Sequence, residues 1–215
     1  IIRGLVGSEM CIRDSNYLAT LPELAVKSVR AKESQLNLEK ERAQEIKEAY
    51  YATISFVDAQ VGRILDQLEN SGLDKNTVVV FTSDHGYHLG EHGHWQKNTL
   101  FENATRVPLI ISAPGSENKG VKSISPVELI DLYPTLMDLT NINIPEHVVG
   151  KSLQPIMKNI NASVRESALT RWRKGYSIKT KRYRLTKWGS NGELGYELYD
   201  HKNDKNELIN LANNQ

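Results

Sequence analysis

A chain of 215 residues with 39% hydrophobic and 25% charged side chains is long enough for one sizeable α/β domain, or a domain with an appendage. Its 27 basic and 26 acidic residues leave a net charge of +1, so no bulk field points to nucleic acid or to an anionic membrane surface. The single cysteine, Cys11, excludes an internal disulfide framework, and no apolar run approaches the about 20 residues needed to span a bilayer.

The first residues, Ile1-Ile2-Arg3, lack the layout of a signal peptide. Gly4 to Ser15 (GLVGSEMCIRDS) reads as a translated adaptor remnant, or otherwise as a poorly ordered natural terminus, and residues 1–15 are set aside from fold reasoning. On either reading the start of the protein is expected upstream. Asn16 to Ser34 is polar with scattered Leu, and Pro22 punctuates it. From Gln35 the pattern turns helical. Ile46, Ala49, Tyr50, Thr53, Ile54, Val57, Val61, Ile64, Leu65 and Leu68 recur at three- and four-residue spacing. Ser71-Gly72 ends the helix, with glycine available for a left-handed cap.

Val78 to Phe81 is a short apolar run without alternation, the pattern of a strand buried on both faces in a parallel sheet. Helix, short turn and buried strand make half of a βαβ unit. The run ends in Thr82-Ser83-Asp84-His85-Gly86, and sites in open α/β sheets lie just beyond the carboxyl ends of such strands. A second apolar run, Val107 to Ser112, follows, so the intervening loop holds its polar groups at one end of a sheet. Asp131 is a candidate N-cap for a helix over Leu132 to Leu139, whose first turn tolerates Pro134. Ser167 to Trp172, Tyr176 to Thr180, Tyr183 to Lys187 and Glu197 to Tyr199 are short strand candidates, expected to form an antiparallel meander. A short helix is expected near Glu207 to Ala212.

Asp84-His85 suits metal or substrate binding, although a pair after a strand also serves as a cap or a hydrogen-bonding pair. His85, His88, His92 and His94 are four of the six histidines. His88 and His92 have the one-turn spacing of a zinc site, but Gly86, Gly90 and Gly93 argue against a helix there. Otherwise these histidines line an anionic pocket or decorate a loop. Lys97 follows Trp95, along whose ring its stem could lie, in a loop returning towards Asp84; it is a candidate anion-binding cation, against the ordinary fate of a solvated lysine. Arg106 is a weaker candidate for substrate contact. Glu128, Asp131 and Asp138 read as a solvated helix surface.

The stretches VGRILDQLENSGLDKNTVVVFTSDHG, LGEHGHWQK, TRVPLIISAPG, DLYPTLMDL and YELYDHKNDKNELINLAN carry a resemblance that runs from about residue 45 to the end. The chain resembles the C-terminal portion of a sulfatase of the alkaline-phosphatase-like superfamily, closest to the iduronate 2-sulfatase and choline-sulfatase types. The resemblance implies an α/β fold: a partial central sheet flanked by helices, with a C-terminal antiparallel β subdomain and a terminal helix. It implies hydrolysis of sulfate esters by a formylglycine nucleophile, made from Cys or Ser in a C/S-x-P-x-R motif, with a divalent metal, usually calcium. Asp84 and His85 fall on the second pair of metal ligands, and Lys97 on a lysine that contacts the sulfate. Many sulfatases carry Asn where this chain has His85. Calcium prefers oxygen ligands, so the nitrogen leaves manganese open. Cys11 sits in Cys-Ile-Arg-Asp-Ser, without the motif's Pro or Arg, so it is not the nucleophile.

The expected organisation is therefore a non-native or disordered segment at 1–15, the C-terminal part of the catalytic α/β domain at 16–160, and the antiparallel subdomain with a short helix at 161–215. The expected partner is a sulfated saccharide, for example a uronic acid sulfate, with the N-terminal half of the catalytic domain missing from this chain. No nucleic-acid partner and no membrane span are expected. Family resemblance points to a periplasmic, secreted or lysosomal setting. The alternatives are a phosphonate monoester or phosphodiester hydrolase of the same superfamily, or a non-catalytic sulfated-glycan-binding protein.

Overall fold

The computed structural model describes residues 15–213, apart from Asn37 and Glu117. The segment expected to be non-native, with Cys11, lies outside the described residues except for Ser15. Helices α1 (Ser15–Ala19) and α2 (Glu23–Val29) open the described chain. Pro22, read as punctuation, stands between the two helices as the N-cap of α2. A proline there costs no hydrogen bond, because the first amides of a helix have no partner within it.

Helix α3 (Lys40–Asn70) is the long helix that the periodicity predicts. Its end follows the expected route: Gly72 adopts φ 70, and its amide bonds the Glu69 carbonyl at 2.9 Å. None of its residues is buried, and Ile54, Phe56, Val57 and Ile64 remain exposed. Strands β1 (Val79–Thr82) and β2 (Leu109–Ser112) flank the site loop, with α4 (Glu102–Thr105) just before β2.

The two strands pair antiparallel, Val79 opposite Ser112 and Thr82 opposite Leu109. This corrects the parallel, doubly buried expectation, and no βαβ unit is closed among the described residues. Phe81 and Ile110 face solvent. The apolar run required cover on both sides, and the described residues do not supply it on that face. What survives is the placement: Asp84 and His85 follow directly beyond the carboxyl end of β1.

After β2, α5 (Leu132–Leu139) and α6 (Gln154–Lys158) lead into β3 (Ala168–Trp172), β4 (Gly175–Lys179), β5 (Tyr183–Trp188) and β6 (Tyr196–Asp200). These form the expected antiparallel meander, in the order β3-β4-β5-β6. A 3₁₀ turn at Leu211–Asn213 stands where the terminal helix was expected. One face of the meander buries Trp188 and Tyr199 against Leu21, Ala25, Val29, Leu100 and Phe101. Each large apolar side chain so buried contributes about 1.5–3 kcal/mol. The seam therefore fastens the site loop, through Leu100 and Phe101, to the C-terminal sheet.

Of the three carboxylates read as a solvated surface, Asp131 is the opposite, and Glu128 and Asp138 are half-buried. Asp131 is fully buried, and it accepts hydrogen bonds from the Glu128 amide at 2.8 Å, the Lys151 amide at 2.9 Å and Arg165 Nε at 3.0 Å. Arg165 also pairs with Glu128 at 2.9 Å, whose carboxylate receives the Leu169 amide at 2.6 Å. Asp138 accepts from the Ser152 hydroxyl at 2.5 Å. A cation 34 residues along the chain from Asp131 compensates the burial, and no local pattern announces it.

Candidate functional site

Asp84 and His85 occupy the turn after β1. The Asp84 side chain is 83% exposed, and its Oδ1 accepts the His85 amide at 3.0 Å. His85 Nδ1 lies 2.8 Å from the Gly86 carbonyl oxygen. A carbonyl only accepts, so Nδ1 carries a proton, and in the neutral ring Nε2 presents a lone pair. That lone pair lies 3.4 Å from Asp84 Oδ2, which is also an acceptor. Two acceptors facing one another are stabilised by a cation between or beside them. Such a donor set, one anionic oxygen and one imidazole nitrogen, fits a divalent ion with room for further ligands.

Lys97 arrives at this point. Its Nζ donates to His85 Nε2 at 2.7 Å, and the side chain is exposed. The loop from Gly86 to Gln96 thus returns its lysine to the Asp84-His85 pair, as the sequence reading required. Trp95 does not stand free for the lysine stem: it is buried, with the Lys47 ammonium 5.8 Å from its ring centroid. Arg106 pairs with Glu102 at 3.5 Å and is otherwise exposed.

The other loop histidines neither decorate the loop nor line an open pocket. His88, His92 and His94 are buried at 0%, 3% and 2% exposure. His88 Nδ1 donates to the Glu91 carbonyl at 3.2 Å, and its Nε2 accepts from the Thr99 hydroxyl at 2.8 Å. His92 stacks on Phe101 with centroids 3.9 Å apart and shares a hydrogen bond of 2.9 Å with the Tyr17 hydroxyl. His94 Nδ1 donates to the Val29 carbonyl at 3.0 Å. Both His88 nitrogens are occupied, so the His88–His92 zinc reading fails. Burial lowers all three pKa values, that of His92 to about 4, and holds the rings neutral. They form the internal packing of the loop that delivers Lys97.

Helix α4 supports the pair from the other side. The Gly86 amide bonds the Ala104 carbonyl at 2.8 Å, and a Cβ on Gly86 would overlap the Asn103 carbonyl oxygen. Only glycine allows this approach. The Glu102 amide at the start of α4 donates to Glu207 Oε2 at 2.7 Å. Glu207 Oε1 receives Arg184 Nε at 2.6 Å and His201 Nε2 at 2.7 Å, while Arg184 also grips the Glu102 carboxylate. Glu102, His201 and Glu207 bring three ligand atoms within 4.8 Å of one another, close enough for a metal. The buried Arg184 guanidinium already supplies the positive charge among them, so a metal there would have to displace it. No local motif marks these four residues, because their partners lie up to 105 positions apart.

The described residues thus combine an antiparallel strand pair bearing a loop-borne Asp-His-Lys cluster with a four-stranded antiparallel meander behind it. The description "Sulfatase" matches residues 19–142, and "N-sulphoglucosamine sulphohydrolase, C-terminal" matches residues 90–215. The chain belongs to the sulfatase family. A sulfatase of Formosa agariphila is 40% identical over 172 residues, covering 80% of this chain and 33% of its own. Iduronate 2-sulfatase of Homo sapiens is 36% identical over 126 residues, 47% of this chain and 23% of its own. A solved structure described as in complex with its substrate D-glucosamine-2-N,6-O-disulfate matches at a TM-score of 0.66 and 32% identity, over 77% of this chain and 36% of that one. Phosphonate monoester hydrolase from Silicibacter pomeroyi matches at a TM-score of 0.74 and 28% identity, over 83% and 39%. The fold is the alkaline-phosphatase-like α/β fold with its C-terminal four-stranded sheet. The chain spans about a third of the length of the curated relatives it matches.

Proposed function

We propose that Asp84, His85 and Lys97 are this chain's contribution to a site that hydrolyses sulfate esters of saccharides, uronic acid sulfates among them, in the full-length enzyme. The observation that carries the reading is the Lys97 ammonium 2.7 Å from His85 Nε2, beside the exposed Asp84 carboxylate. Asp84 Oδ2 and His85 Nε2 would hold a divalent cation, calcium by family habit and manganese by the nitrogen donor. Such an ion supplies Lewis-acid polarisation of a sulfate oxygen when bound. Lys97 offers an ammonium to an oxygen of the same group, and its attraction grows as charge moves towards the leaving oxygen. The Gly86 carbonyl keeps the His85 proton on Nδ1, so that Nε2 presents a lone pair, which the exposed Lys97 ammonium now holds and would have to yield to a metal. The chain holds no residue that fits the formylglycine, since Cys11 lacks the neighbouring Pro and Arg, and no step is derived through it.

The saccharide assignment is supported by the relative whose described substrate is a glucosamine disulfate. One specific likeness favours a second reading, hydrolysis of phosphonate monoesters, because phosphonate monoester hydrolases share the fold at similar identity. Both readings use the same three residues. Turnover by the full-length enzyme of a saccharide sulfate against a phosphonate monoester separates them. Sulfate preference that a chelator abolishes supports the first reading; phosphonate preference replaces it with the second; no metal-dependent turnover of either ester removes both.

A further inference from the structure

We propose that Glu207 and Arg184, in the C-terminal subdomain, are positioning residues for the Asp84-His85 pair and act on it through α4. The inference rests on the reading of that pair as ligands. A continuous chain of short contacts connects the two places. Arg184 stands on β5 in the middle of the meander, with 3% of its side chain exposed, and bonds the Ser177 hydroxyl at 3.1 Å on the neighbouring strand. From there it holds Glu207 at 2.6 Å and the carboxylate of Glu102. Glu207 in turn bonds the Glu102 amide at 2.7 Å, which fixes the first turn of α4. Two residues later, the Ala104 carbonyl receives the Gly86 amide at 2.8 Å, with Gly86 pressed on the Asn103 carbonyl. The Gly86 carbonyl then orients the His85 ring at 2.8 Å. Every link is a hydrogen bond, an ion pair or a backbone contact without slack.

The cluster is a costly way to start a four-residue helix. It buries the Glu207 carboxylate completely, and a neutral Ser or Asn cap would satisfy the Glu102 amide without a buried charge. Burial pushes the Glu207 pKa up, but hydrogen bonding from His201, the Arg184 charge and the Glu102 amide together bring it below its ordinary value. Glu207 also takes a left-handed backbone, φ 56, which a β-carbon disfavours. A strained residue with a buried charge, reaching the site loop through α4, is the arrangement expected where a site must keep its geometry. A second buried network of the same chemistry, Arg165 with Asp131 and Glu128, ties α5 to β3 and does not touch α4. It serves as an internal control.

Two measurements test the proposal. In the 215-residue chain, hydrogen exchange at the Gly86 amide is compared for the wild type, Glu207→Gln, Arg184→Met and Arg165→Met. Loss of a charged hydrogen bond from the brace should speed Gly86 exchange by about tenfold or more in the first two variants. Arg165→Met should leave it near the wild-type rate under native conditions. In the full-length enzyme, Glu207→Gln should raise the metal concentration giving half-maximal turnover by about tenfold or more, with the substrate KM at saturating metal unchanged. Unchanged Gly86 exchange in Glu207→Gln overturns the proposal. So does equal acceleration by Arg165→Met, which would make the effect one of general stability. If Arg184→Met does not fold, Glu207→Gln decides alone. Absence of metal-dependent turnover in the wild-type enzyme removes the functional reading, while the exchange data still judge the brace.

Discussion

Glu197 makes this chain's stability depend on pH in a direction opposite to that of its histidines. The side chain is 3% exposed, and its two oxygens accept from Trp188 Nε1 at 2.6 Å and the Tyr199 hydroxyl at 2.8 Å. Burial is the main cause that lifts its pKa from 4.5 to about 7, with the Trp188 and Tyr199 hydrogen bonds opposing it. The folded state therefore holds this proton more tightly than the unfolded chain. Its stabilising contribution is full below pH about 4.5, falls as pH rises towards about 7, and is flat above. A shift of about 2.5 units corresponds to about 3 kcal/mol at most. Glutamine keeps an acceptor for Trp188 but cannot ionise. Urea unfolding of the wild type and Glu197→Gln at pH 5 and pH 8 isolates the term, because every other titrating group is common to both. The wild type should lose about 1–3 kcal/mol relative to the variant between the two pH values. Identical pH dependence in the two proteins would show that the carboxyl is already ionised, or already solvated, at pH 5, and the burial argument would fail.

The buried histidines act with the other sign. His92, lowered to about 4 chiefly by burial, contributes stability that is full above pH about 6.5 and is lost as pH falls through 4. His92→Asn, which tolerates the left-handed φ of 56, should flatten the acid limb of a urea-midpoint profile by about 3 kcal/mol at most. In the full-length enzyme, Asp84→Ala should weaken calcium and manganese binding and turnover more than His85→Ala, because a hard cation depends chiefly on its anionic oxygen. Calorimetric titration of both metals into both variants checks the order, and equal or reversed losses contradict it. The 215-residue chain by itself should show no sulfate-ester turnover and only weak calcium binding, since two side chains supply few of the about six to eight oxygens that calcium takes. A continuous sulfatase assay with the purified chain decides this.

Elements that depend on near neighbours were legible in the sequence. The α3 stripe, its Gly72 cap and the four strands of the meander all follow from local spacing and turn residues. The proximity of Asp84, His85 and Lys97 was legible too, because a glycine-bearing loop between two strands has to bring its ends together. What sequence hid was cover and compensation. The Val78 to Phe81 run looks doubly buried, but cover is a property of residues far along the chain, and β1 has solvent on Phe81. The segment around Pro22 reads as polar with scattered Leu, yet Leu21, Ala25 and Val29 meet Trp188 and Tyr199 from more than 150 positions away. Asp131 read as a surface acid for the same reason, and nothing local marked Glu207 as buried: each is matched by an arginine that is no neighbour in sequence.

The most direct measurement is kcat/KM for a saccharide sulfate with Lys97→Ala in the full-length enzyme, together with its metal content. The exposed Lys97 ammonium donates to His85 Nε2 at 2.7 Å, and that same nitrogen lies 3.4 Å from Asp84 Oδ2. Removing one positioned electrostatic group from a transition state costs about 10²-fold or more. The variant should lose that much while metal content stays near normal, and Lys97→Arg should restore activity only in part, because its planar fork is larger and differently directed. Turnover of Lys97→Ala within about threefold of wild type, less than 1 kcal/mol of transition-state stabilisation, would contradict the assignment of this cluster to sulfate-ester hydrolysis.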